Sequence, residues 1–264
     1  MIKKHYKKEL TLKSTVRKGA KGNQVKKIQE WLNLWRYVEP RWTNIVTIDG
    51  DFGPQTKNAV HAFQTLKKLP ATGIVNVATY QVLTSPLANA YKLKTGRDIR
   101  KLIVHYGEQH LKNIPRELNN NNEGPWVRSY MDGNEGSPWA WCMGFVQAVL
   151  DMAFSTIDQK FTDHIPHTYS CDVVGFHGQN NQNLIRNRLL RQGHVDAVQP
   201  GDLFLIVKNP RDWIHTGLII DREGDWFHTI EGNTNDEGVR EGFEVCSRMR
   251  NFRRKNIDVF SLKV

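Results

Sequence analysis

The apolar residues of this chain change their period once. Up to Ala153 they recur at helical spacing, and from Asp202 onward they fall in short runs between turn residues. Those runs predict strands at Asp202 to Val207, His215 to Ile220, Trp226 to Glu231 and Glu244 to Met249, with a fifth candidate at Ile257 to Leu262. The spacers between them are short, which favours antiparallel pairing. Ahead of the strands, Trp141-Cys142-Met143 opens a helix whose stripe is Phe145, Val146, Val149, Leu150 and Ala153. A helix laid on an antiparallel sheet is an α+β layer design.

The N-terminal third has no such runs. Val25, Ile28, Leu32 and Trp35 predict a helix from Asn23 to Tyr37, with Asn23 as N-cap and Pro40 as stop. A turn-rich stretch, Ile48 to Pro54, leads into a second helix with Ala59, Val60 and Phe63 inward. Leu69 to Gly73 ends it, and Asn76 caps a third helix to Leu83. Thr84 to Lys94 has no clear period. A further helix, Arg97 to Leu111, carries Ile99, Leu102, Ile103 and Tyr106 on one side, and Asn119 to Asn122 reads as an exposed turn. The expected organisation is a basic tail (1–11), a small all-α three-helix bundle (12–86), a linker (87–96) and an α+β domain (97–264).

Charge sharpens this division. Nine of the ten net positive charges lie in residues 1–28, and the remainder is nearly neutral. That points to an anionic partner for the N-terminal part. No helix-turn-helix, zinc-finger or other nucleic-acid motif accompanies the charge, so nucleic acid is not the expected partner. No apolar run approaches the roughly 20 residues that span a bilayer, and no apolar stretch follows the N-terminal lysines as in a secretory signal. Stable membrane insertion is not expected.

Three cysteines, Cys142, Cys171 and Cys246, exclude a disulfide framework. Cys142 opens a helix, where the macrodipole favours thiolate and unpaired first-turn N–H groups can hold an oxyanion. The competing reading is a buried structural cysteine. A base would have to be a histidine brought near by the fold. His215 begins a strand, and an antiparallel neighbour can bring Glu231 or Asn233 beside its ring. His228 competes as base, but it differs from Glu231 by an odd number of positions and so faces the other way.

Two resemblances bear on function. Arg17-Lys18-Gly19 through Val25, Ile28-Gln29, Asp49-Gly50, Phe52-Gly53-Pro54, Phe63-Gln64 and Leu69 to Val75 resemble the three-helix peptidoglycan-binding domain, over about Leu12 to Leu83. The segment Val38 to Thr47 departs from that pattern by its length. Further on, Gly124-Pro125-Trp126, Gly136 to Cys142, Pro200-Gly201-Asp202, His215-Thr216-Gly217 and Ile230 to Asn235 resemble the CHAP family, cysteine- and histidine-dependent amidohydrolases and peptidases with a papain-like fold. That likeness implies Cys142 as nucleophile, His215 as general base, and Glu231 and Asn233 as supporting residues. Together the two imply an endolysin-like hydrolase cutting an amide bond in bacterial peptidoglycan, as an N-acetylmuramoyl-L-alanine amidase or an endopeptidase. The alternative is a non-catalytic wall-binding or assembly protein with a retired papain-like domain. A monomer acting at the cell wall is expected, released by lysis, a membrane lesion or a dedicated apparatus.

Trp139, Trp141 and Trp213 flank the proposed nucleophile and base, and are candidates for lining a substrate groove. No cofactor or metal is expected. Asn233, Asn235, Glu237, Gly238 and Glu244 nearly fit a calcium loop, but the first and fifth ligand types are wrong. Some CHAP domains bind calcium through acids before the cysteine; the spacing of Asp132, Asn134 and Glu135 does not match. His164, His167, Cys171 and His177 lack a standard zinc spacing. Cys246 reads as core.

Overall fold

The computed structural model describes residues 1–234 and 242–264. Asn235, Glu237 and Gly238 lie outside the described residues. The chain begins with α1 (Tyr6–Glu9), α2 (Asn23–Val38), α3 (Pro54–Leu66), α4 (Val77–Leu83) and α5 (Ser85–Ala90). Then come α6 (Ile99–Lys112), α7 (Pro125–Tyr130), α8 (Cys142–Thr156), α9 (Cys171–Asn180) and α10 (Asn187–Arg191). The strands are β1 (Leu184–Ile185), β2 (Leu203–Asn209), β3 (Asp212–Glu223), β4 (Trp226–Thr234), β5 (Glu244–Asn251) and β6 (Ile257–Phe260). Among the described residues no helix is long and apolar enough to cross a membrane.

In the helical region, two buried glutamines hold the turns. Gln29 of α2 donates to Asp49 Oδ1 (2.7 Å) and Asp51 O (3.0 Å) and accepts from Gly50 N (2.8 Å). Gln64 of α3 repeats the device, donating to Ile74 O (2.8 Å) and accepting from Gly73 N (2.8 Å). Each amide satisfies turn groups that burial would otherwise leave unpaired. Asn76 caps α4 as expected, accepting from Thr79 N (2.9 Å). Asn23 does not cap α2: Gly22 holds that place at φ +103° and donates to Gly50 O (2.8 Å). The long segment before the Asp-Gly turn is packed, since Trp42 is buried against Phe63 and donates to Leu32 O (2.6 Å).

Two expectations are corrected at the joint. Residues 87–96 are not simply a linker: α5 begins before them, and Leu87, Ala90 and Tyr91 are buried. Residues 1–11 are not a solvated tail. The Ile2 and Lys3 amides each donate to the Asp151 carboxylate (2.9 Å), and the buried Lys3 ammonium donates to Tyr130 O (2.7 Å). Tyr6 stacks on Tyr91 with ring centroids 4.0 Å apart. Arg128 of α7 then joins three elements, pairing with Glu9 (2.9 Å), Glu30 of α2 (2.6 Å) and Glu135 (2.7 Å). One continuous apolar core accordingly runs through both regions.

The second region is α+β. Among the described residues, its six strands pair antiparallel in the order β1-β6-β2-β3-β4-β5. Alternation along the strands serves two apolar clusters. Leu203, Leu205, Leu218 and Ile230 join α6 and α8 in the main core. Phe204, Ile219 and Phe227 join Leu190 of α10 in a second cluster. Contact with α8 is close at Gly232, where a Cβ would sit 2.7 Å from Phe145 Cβ.

Candidate active site

Cys142 is the first residue of α8, 5% exposed. The helix start is pressed against the end of α7: a Cβ on Gly144 would lie 2.8 Å from Tyr130 O. The first-turn N–H groups there have no intrahelical carbonyl to bond.

His215 stands on β3, buried, and its Nε2 shares a hydrogen bond with Glu231 Oε2 on β4 (2.9 Å). Register puts Leu218 opposite Ile230, so Gly217 lies opposite Glu231. A Cβ at Gly217 would sit 2.8 Å from Glu231 Cγ and 2.7 Å from the Phe204 ring. The glycine leaves the space through which the carboxylate reaches His215. With Nε2 engaged, Nδ1 is the nitrogen left for Cys142. The thiol and ring are near enough to stabilise each other's charge, although Nδ1 makes no hydrogen bond of regular geometry.

Arg250 of β5 completes the arrangement. Its Nε donates to Glu231 Oε1 (2.8 Å), its Nη2 bonds Oε2, and Thr229 Oγ1 donates to Oε1 (2.6 Å). Burial pushes the Glu231 carboxyl up, but Arg250 and then His215 outweigh it and hold the pKa at about 2. Burial opposes the His215 charge, yet Cys142 and Glu231 raise its pKa to about 9. The Cys142 thiol falls well below its usual value, first through the Cys171 thiol, against burial, and then through His215. These shifts favour thiolate at Cys142 and imidazolium at His215 beside a fixed carboxylate, an arrangement suited to nucleophilic attack on a carbonyl.

The other sequence candidates fall in different places. Asn233 is buried at φ +56°, and its Oδ1 has no hydrogen-bond partner among the described residues. Of the two candidates for orienting His215, Glu231 makes the bond and Asn233 does not. His228 is half-buried, three places from Glu231 in unbroken register with β5. Trp139 is half-buried, edge-on to Tyr169 (6.0 Å). Trp141 and Trp213 do not line a groove. Trp141 is fully buried, stacked on Tyr130 and donating to Glu117 Oε2 (3.3 Å). Trp213 is buried against Gly175 of α9 and donates to Asp258 Oδ2 (3.0 Å). Cys246 is buried, as expected. Cys171 faces Cys142, whereas His167 bonds Asp132 (2.9 Å) and His164 and His177 stack on Phe154 and Phe260.

Arg250 and Cys171 were missed as site residues. A glutamate buried in a strand calls for a cation, and that was the available signal for Arg250. The Cys171 signal was a second cysteine at a helix start.

Compared with known proteins, residues 21–83 match the family model of a peptidoglycan-binding domain, which leaves residues 1–20 and 84–264 outside the match. No curated protein matches the chain. The match fits cell-wall association, with peptidoglycan as partner.

Proposed function

We propose that the chain is a peptidoglycan hydrolase whose α+β region is a papain-like cysteine amidase or endopeptidase. The observation that carries this reading is the Cys142–His215–Glu231 constellation at a helix start, in the same chain as a match to a wall-binding domain. The Cys142 thiolate attacks the carbonyl carbon of an amide in the peptide part of the wall. First-turn amides of α8 receive the oxyanion. His215 gives its proton to the leaving amine, and Glu231 holds the ring in place throughout. Neutral His215 then takes a proton from water, which attacks the thioester. Carboxylate product leaves, and the thiolate–imidazolium pair is restored. Holding the catalytic region on an insoluble polymer raises its effective concentration there.

The test is the clearing of a wall suspension. Wild-type protein should lower its turbidity, while Cys142→Ala should sediment with the wall and leave it intact. Equal clearing by both proteins would sink the cysteine mechanism.

A further inference from the structure

Cys142 is not alone at its helix start. Cys171 opens α9, and the two sulfurs are 4.0 Å apart, close to van der Waals contact. They come from positions 29 apart in sequence, so the fold makes this contact. The start of α9 is anchored. Ser170 Oγ accepts from Val173 N (3.3 Å), and Asp172 Oδ1 accepts from Trp213 N on β3 (2.6 Å). The second bond ties α9 to the strand that carries His215. Cys142 and Cys171 are 5% and 7% exposed, so the pair lies just beneath the surface.

We propose that Cys142 and Cys171 are a peroxide-responsive dithiol pair, in which Cys171 resolves the oxidised nucleophile as a reversible disulfide. The Cys142 thiolate attacks one oxygen of hydrogen peroxide. The O–O bond breaks, hydroxide leaves, and Cys142 becomes a sulfenic acid. The Cys171 sulfur then attacks the Cys142 sulfur; the S–O bond breaks and water departs with the thiol proton. The two thiols have lost two electrons, and peroxide has been reduced to water. Without a second thiol in contact, a sulfenic acid proceeds to sulfinic acid, which ordinary thiol reductants do not reverse. The pair protects the nucleophile while switching it off. The loss of wall hydrolysis on oxidation rests on the function proposed above; the thiol chemistry does not.

The experiment treats native full-length protein with hydrogen peroxide, alkylates the remaining thiols in denaturant, and maps the peptides by mass spectrometry. Wild type should lose the mass of two hydrogens, yield a peptide pair joined through Cys142 and Cys171, keep Cys246 alkylatable, and regain both thiols with dithiothreitol. Cys171→Ser should instead give a dimedone-trappable Cys142 that goes on to gain two oxygens and is not rescued. Sulfinic Cys142 in wild type at the Cys171→Ser rate, with no cross-linked peptide, would overturn the proposal. So would a cross-link to Cys246 or between chains. If Cys171→Ser does not fold, the wild-type cross-link map decides by itself. A mapped Cys142–Cys171 link in a protein that never clears wall would sink the hydrolase reading and leave this one standing.

Discussion

Burial alone would strip His215 of its proton; the Cys142 thiolate and the Glu231 carboxylate hold it in place. The sign of the pH dependence follows. The imidazolium's contribution to stability is complete below the ordinary histidine value of about 6.5 and is lost as pH rises through about 9. Glu231 works from the other end, its contribution present above the ordinary carboxylate range and lost as pH falls through about 2. Acyl transfer needs both thiolate and imidazolium, so its rate should fall on the alkaline side near pH 9. Alkylation of Cys142 by iodoacetamide should stay fast into weak acid. A rate that titrates like an ordinary thiol, near about 8.5, would show that no ion pair exists. Gly217→Ala tests the carboxylate's path. The new methyl would meet Phe204, Glu231 and the Ile230 carbonyl within 2.9 Å. Overpacking of this kind costs about 1–3 kcal/mol. It should also push Glu231 off His215, moving the alkaline limb to lower pH; an unmoved limb would contradict this role for the glycine.

Elements with a strong period were legible in the sequence. The strand runs and the α8 stripe emerge in the right places, because apolar alternation and turn residues mark them locally, although β3 extends three residues beyond the predicted run at each end. The His215–Glu231 pair was legible for the same reason, since strand parity limits which side chains can meet. Arg250 was not. The predicted strand ended at its last apolar residue, Met249, one residue short of the cation that fixes Glu231. Helix α5 is six residues long, too short to display a period, and its stretch was therefore read as the start of a linker. Trp141 adjoins the nucleophile in sequence, but its place before the first turn of α8 turns the ring inward onto Tyr130. The Cys142–Cys171 contact depends on how α8 and α9 pack, which no local pattern encodes.

At the scale of the whole molecule, the N-terminal segment acts as mortar between the helical and α+β regions. Arg128 gathers Glu9 and Glu30 where the side chains are 11%, 2% and 3% exposed. Arg128→Ala would leave two buried acids without their main cation, at a cost of about 3–5 kcal/mol. Urea unfolding should show that loss, and an unchanged midpoint would refute the account of the joint. The excess positive charge also needs dividing. Lys3 is structural, so only Lys4, Lys7 and Lys8 of the first eleven residues remain exposed to meet an anionic wall polymer. Changing those three to glutamine should weaken sedimentation with wall at low salt and leave cleavage of a soluble wall fragment unchanged. Equal sedimentation would assign wall binding to the three-helix unit alone. The central claim is that Cys142 cuts an amide bond in peptidoglycan, and mass spectrometry of digested wall tests it most directly. Wild-type protein should release fragments bearing new free amino groups at one defined position, with none from Cys142→Ala. Intact wall after treatment with folded wild-type protein, or the same fragments from both proteins, would contradict it.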